Sequence, residues 1–190
     1  METPKKPIPS AGGNLRDITL RPVGIIMNAS KEPFLTAAEE GLTMQGRINA
    51  VRESIREIRW TVSRIVISDD LTEILDGIEE YSHLVVLYWA HKVPEQSRLL
   101  TKVHPMGRKE FPLVGIFGTC SPARPNPVLM TVVRLHGRKE NVLEVSGLDA
   151  IDGSPVIDIK PYVKDFYPQR EVLVPEWMQR ILKEVTTDFP

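Results

Sequence analysis

Residues 82–91, SHLVVLYWAH, constrain the fold more than any other stretch of this chain. Successive side chains of a strand point to opposite faces. Here both alternating sets are apolar, so a strand over this run is buried on both sides, as in a barrel or a sandwich. His83 and His91 bracket it, and their even spacing along the strand puts them on the same side. Similar strand signals recur at short intervals: LRPVGIIMNAS (20–30), TVSRIVIS (61–68), LVGIF (113–117), VLMTVVRLHG (128–137), and two more within NVLEVSGLDAIDGSPVIDI (141–159), joined near the turn dipeptide Asp152-Gly153. About six or seven strands with few helices between them predict a mainly β barrel or sandwich decorated by helices.

The helical signals are few. Ile48, Val51, Ile55, Ile58 and Val62 recur at spacings of three and four, predicting a helix near 46–60. Arg52, Arg56 and Arg59 share another of its faces, either as a solvated surface with local ion pairs or as a stripe that contacts phosphates. DDLTEILDGIEEY (69–81) reads as a short helix capped by Asp69 or Asp70, and VPEWMQRILKEV (174–185) as a C-terminal helix with Pro175 in its first turn. Residues 31–43 read mostly as loop. The basic connection 92–112 is long enough to be functional or mobile.

A length of 190 residues suits one domain. Residues 1–18, rich in proline, glycine and lysine, read as a disordered leader, and 19–190 as the domain. With 24 basic and 25 acidic residues, any nucleic-acid footprint must be local. One cysteine rules out an internal disulfide and the usual thiolate zinc site, and four scattered histidines give no metal-ligand spacing. No run approaches the roughly 20 apolar residues that span a bilayer, and the leader lacks the apolar core of a secretory signal. The expectation is a cytoplasmic protein without a metal. Neither a GxGxxG run nor a P-loop is present, which argues against a doubly wound nucleotide fold.

The segment GTCSPARPNPVLM (118–130) interrupts two strand-like runs. Pro122, Pro125 and Pro127 fix φ, remove backbone donors and push the preceding residues toward extended geometry. The remaining donors are the amides of Ser121, Ala123, Arg124 and Asn126 with their side chains. Such a stiff loop loses little entropy when a ligand docks, although a proline turn also serves as a plain connection. A second polar stretch, SGLDAIDGSPVIDIKPY (146–162), carries Asp149, Asp152, Asp158 and Lys160. Arg124, Asn126 and Lys160 are the candidate substrate contacts.

GIFGTCSPARPNPVLMTVVRL and GLDAIDGSPVIDIKPY, with GIEEYSHLVVLYWAH before them, together resemble the TrmO family, or TsaA-like domain, over roughly residues 20–165. The resemblance implies a small single-sheeted β-barrel methyltransferase that uses S-adenosylmethionine, forms a homodimer, and methylates N6 of threonylcarbamoyladenosine in the anticodon loop of tRNA. It further implies cofactor contacts from four distant stretches: Glu40, Gly41 and Leu42; His91 and Lys92; Cys120 and Met130; and Ser146, Gly147, Leu148 and Asp149. Convergence of these at one barrel end would make a concave site. Where the family's run carries an arginine and a glycine, this chain has Cys120 and Leu129. The first change removes a fixed cation with a forked donor, and Arg124 remains nearby.

Methyl transfer from a sulfonium is an in-line displacement, helped mainly by alignment. Where the acceptor nitrogen must lose a proton, His91 and Asp149 are the candidate bases. Cys120 reads as an inert small hydrophobe or as a nucleophile. A methyltransferase of the same fold with another substrate, and a barrel that binds nucleotide or RNA without catalysis, stay open as alternatives.

Overall fold

The computed structural model describes residues 18–33, 35–38, 41–44 and 48–186. The expected leader falls on 1–17, outside the described residues, and on Ile18. In chain order the strands are β1 (Gly24–Met27), β2 (Leu35–Ala38), β3 (Gly41–Met44), β4 (Val62–Ile67), β5 (His83–Trp89), β6 (Lys102–Val103), β7 (Val114–Gly115), β8 (Val128–Lys139), β9 (Val142–Ser146) and β10 (Pro155–Pro161). The helices are α1 (Ile48–Trp60) and α2 (Glu176–Thr186), where the sequence predicts them.

Six strands close into one antiparallel barrel in the order β1–β10–β5–β8–β9–β4, and β4 pairs back with β1. The mainly β expectation therefore resolves to a single closed sheet, the alternative of a two-layer sandwich being lost. Inward positions follow the period of two: Ile65 and Ile67 on β4, Leu84, Val86 and Tyr88 on β5, Leu143 and Val145 on β9 all belong to one buried cluster. Each such apolar side chain contributes roughly 1.5–3 kcal/mol by leaving water. On the opposite face of β5, Val85 is also buried, and Leu87 and Trp89 are half-buried. The doubly apolar pattern of this strand thus has its physical cause in cover on both sides. At the seam, Gly24 pairs with both Val156 and Ile67, and a Cβ there would lie 2.4 Å from the Val66 carbonyl oxygen. Closure at this point needs a residue without a side chain.

Three local expectations are corrected. Strands β9 and β10 do not form a hairpin about Asp152-Gly153: β9 pairs with β8 and β4, and β10 with β5 and β1. Residues 147–154 instead cross the barrel end. There the amides of Asp152 and Gly153 donate to the carbonyls of Ser30 and Ile26 at 2.7 and 2.8 Å. The hairpin lies earlier, between β8 and β9, at Glu140 and Asn141, with Glu140 at φ 53°. Residues 69–81 form two 3-10 turns, Asp69–Leu75 and Ile78–Glu80, without a side-chain cap, and Gly77 at φ 83° separates them. Residues 31–43 include a hairpin, β2 with β3, rather than mostly loop. The connection 92–112 holds 3-10 turns and β6, which pairs with β7.

Helix α1 is fastened at the barrel end by α2. Arg52 Nε and Nη2 donate to the Glu184 carbonyl at 2.9 and 2.6 Å, satisfying a carbonyl in the last turn of α2 that has no helical partner. The Glu184 carboxylate accepts from Arg108 and from Arg180, and both guanidiniums lie over the Phe111 ring, at 4.5 and 5.3 Å. Arg52, one of the three arginines read either as solvated surface or as a phosphate stripe, is thereby a packing residue.

Candidate functional site

A cavity of about 340 Å³ opens at one end of the barrel, within the roughly 300–1,000 Å³ common to small-molecule sites. Five separated stretches of chain build it. Ser30, Glu32 and Pro33 come from the loop after β1, and Leu35 and Thr36 from β2. Ile58 comes from α1, whose last turn is held when the Gly147 amide donates to the Ile58 carbonyl at 3.1 Å. The end of β5 and the turn after it supply Tyr88, Ala90, Lys92, Val93 and Pro94. The proline loop and the start of β8 supply Cys120, Pro122 and Leu129. The crossing segment supplies Asp149, Ala150, Ile151 and Ser154. A neighbouring cleft shares Ser30, Glu32, Pro33 and Ile58 and adds Asn28, Glu57, Ser63 and Leu148.

The crossing segment is positioned by its hydrogen bonds. Asp152 accepts from the Asn28 amide at 2.9 Å and pairs with Lys31 at 2.6 Å, and Asn28 Nδ2 donates to the Ala150 carbonyl at 2.8 Å. The Tyr88 hydroxyl donates to the Asp149 carbonyl. Lys31, then the Asn28 amide, hold the Asp152 carboxyl below its ordinary range. Burial, reinforced by the Asp149 carboxylate, keeps the Tyr88 phenol protonated well above its ordinary value. Asp149 is exposed where the cavity opens. Partial loss of hydration around its carboxyl raises it above the usual carboxylate value.

The structure brings together three of the residues implied by the resemblance: Lys92, Cys120 and Asp149 all line the cavity. His91 stands beside it, its Nδ1 3.4 Å from the Ser154 hydroxyl, and burial together with Lys92 lowers its imidazole. The strand ends at Trp89, so strand alternation does not relate His91 to His83. Lys92 donates to the Lys31 carbonyl at 2.6 Å and to Glu32 at 2.8 Å, forming part of the rim.

Of the other implied residues, Glu40 lies outside the described residues. Gly41 does not line the cavity, and Leu42 packs in a separate apolar cluster with Val103, Ile116 and Ala123. Met130 is 60% exposed on the outer barrel face, while Leu129, one residue earlier, forms the wall. Ser146 is buried against His136, at 2.8 Å from its Nε2. Gly147 braces α1, and Leu148 belongs to the core and the neighbouring cleft. Of the substrate candidates, Arg124 clamps its own loop by donating to the Ser121 and Thr119 carbonyls at 2.8 and 2.7 Å. Asn126 is exposed. Lys160 pairs with Asp158 at 2.6 Å, toward the far end of β10 from Ser154. Reading the sequence missed Tyr88, Leu129 and Ile58 as walls. A phenol next to the last residue of a largely apolar strand was the available signal for Tyr88 as a wall.

Among the described residues no group of three or more His, Cys, Asp or Glu side chains could hold a metal, and no described helix is long and apolar enough to cross a membrane.

Residues 51–167 match the sequence profile of the tRNA-methyltransferase O N-terminal domain. A probable S-adenosyl-L-methionine-binding protein of Methanothermobacter thermautotrophicus is 40% identical over 149 residues, covering 78% of this chain and 93% of its own. An S-adenosyl-L-methionine-binding protein of Archaeoglobus fulgidus is 40% identical over 143 residues, 75% of this chain and 88% of its own. A crystal structure of TrmO superposes with a TM-score of 0.62 at 27% identity, covering 84% of this chain and 64% of that one. The TrmO of Pseudomonas aeruginosa gives 0.63 at 24% identity over 87% and 63%, a likeness of fold. The chain thus spans a little under two thirds of the crystallised TrmO chains.

Proposed function

The chain belongs to the family of the tRNA-methyltransferase O N-terminal domain, and from that premise we propose that it is an S-adenosylmethionine-dependent methyltransferase acting on tRNA. The observation that carries the reading is the cavity itself: five distant stretches meet around apolar walls and one carboxylate at a barrel mouth. The residues present fit the cofactor. Leu35, Ile58, Val93, Pro94 and Leu129 offer apolar surface to an adenosine moiety, and Asp149 offers negative charge to a cationic one. S-adenosylmethionine bound there would supply a methyl group on a sulfonium sulfur.

The chain's own residues do the rest. With the cofactor in place, the apolar walls would leave little room for water. The proline loop, braced by Arg124, and the crossing segment, braced by Tyr88 and Asp152, hold the site without reorganisation. The finer reading is methylation of N6 of threonylcarbamoyladenosine in the anticodon loop, in the cytoplasm, by a homodimer whose second subunit completes the open cavity. His91, with its lowered imidazole beside Ser154, is the proton acceptor in this reading. The test is mass spectrometry of nucleosides from tRNA incubated with the protein and S-adenosylmethionine. A methyl on threonylcarbamoyladenosine is expected, and an unchanged nucleoside profile refutes the tRNA assignment. A second reading, the same chemistry on another acceptor, is favoured by Cys120 and Leu129. Both line the cavity, and both differ from the family run.

A further inference from the structure

The charged residues that line the cavity are Glu32, Lys92 and Asp149. Two of them cancel: Lys92 pairs with Glu32 at 2.8 Å, with the Glu32 side chain 79% exposed at the rim. Asp149 has no such partner, since no ion pair among the described residues involves its carboxylate. The Tyr88 hydroxyl, also on the wall, donates to the Asp149 backbone carbonyl. That bond fixes the peptide while leaving the carboxylate without its donor. Apolar surface from Val93, Pro94 and Leu129 lines the same cavity. An ionised group so placed is offered no compensating charge by the protein. A cation delivered by a ligand supplies that charge.

We propose that Asp149 is the counter-ion of the cofactor's sulfonium and makes the cavity select the charged methyl donor over its neutral product. The proposal rests on the reading that the cavity holds S-adenosylmethionine. It adds a consequence that reading lacks. Once the methyl has left, the sulfur is a neutral thioether and the attraction to Asp149 ends, so spent cofactor is exchanged for fresh donor rather than retained.

The experiment is calorimetric titration of the full chain with three probes: S-adenosylmethionine, S-adenosylhomocysteine, and sinefungin, which carries an ammonium where the donor has its sulfonium. The two cationic probes are expected to bind at least about tenfold tighter than the neutral one, a difference of about 1.4 kcal/mol. In Asp149→Asn, and in Asp149→Ser as a second variant, the preference should fall to near unity, chiefly through weaker binding of the cations. Thermal unfolding of both variants reports that they fold. Equal binding of all three probes by the unaltered chain overturns the counter-ion, and so does a preference that survives both substitutions. In either case the cofactor reading stands. Failure of every probe to bind removes the cofactor reading, and the counter-ion falls with it.

Discussion

The Asp149 carboxyl binds its proton more tightly in the folded chain than in the unfolded one, because surrounding protein takes away hydration without offering a cation. The sign of its effect on stability follows. Below the unfolded-state value both forms are protonated and the group is without penalty. As pH rises through the folded value, the unfolded chain releases the proton more readily, and stability is lost. Asp149→Asn should therefore melt at a higher temperature than the unaltered chain at neutral pH, with the gap closing as the pH is lowered into the carboxylate range. Calorimetric melting across pH checks this, and a variant that melts lower at neutral pH would place a stabilising partner on the carboxylate. Tyr88 contributes to the same site without being legible there. Its phenol meets a carbonyl 61 residues away in sequence, and no local pattern encodes a bond of that range.

At the scale of elements, α2 is tied to its neighbours through one acidic residue in its last turn. Glu184 accepts through its carbonyl from Arg52 and through its carboxylate from Arg108 and Arg180, so one residue ties α1, α2 and the turn before Phe111. Arg108, then Arg180, hold the Glu184 carboxyl below its ordinary value. Stability from this pairing is present above the unfolded-state value and is lost as pH falls through the folded one. The ion pair is half-shielded, its side chains 18% and 27% exposed. Glu184→Gln should thus cost about 1–2 kcal/mol near neutral pH, between the values for surface pairs and buried charged hydrogen bonds. Denaturant titration at two pH values measures it: the deficit should shrink in acid, and a pH-independent deficit would assign the loss to packing. Helix α1 was legible from its 3.6-residue stripe and α2 from Pro175 in its first turn, both of them local information. The role of Arg52 was not. A run of arginines looks the same whether it faces phosphate, water or a helix end, and the partner carbonyl lies 132 residues on. The proline loop shows a similar limit. Its stiffness was readable from Pro122, Pro125 and Pro127, but Arg124 turns inward on the carbonyls of Thr119 and Ser121 instead of outward.

At the scale of the whole molecule, β5 announced a strand covered on both faces, and closure into a barrel followed from pairings among strands widely separated in sequence. Register set which of two adjacent residues reaches the cavity. Leu129 pairs with Tyr88 and faces in, whereas Met130 pairs with Leu87 and faces out. A slip of one residue exchanges such roles, so a motif alone does not assign them. The same architecture concentrates the cavity at one end, formed by the loops and strand ends near Ser30, Lys92, Cys120 and Asp149, while the opposite end, near Leu84 and Pro161, takes no part. A ligand that bridges five stretches stabilises them together by mass action, by about 2.7 kcal/mol at a hundredfold excess over its dissociation constant. Amide hydrogen exchange should register this as slower exchange over 30–36, 90–94, 120–124 and 149–154 when S-adenosylmethionine is added. Amides of β5 and β10 at Leu84 and Lys160 should change little, because the barrel already protects them and no ligand reaches that end. Protection centred instead on the far end, or confined to one stretch, would mean that the convergence of these segments is a feature of packing rather than the means by which the barrel grips its cofactor.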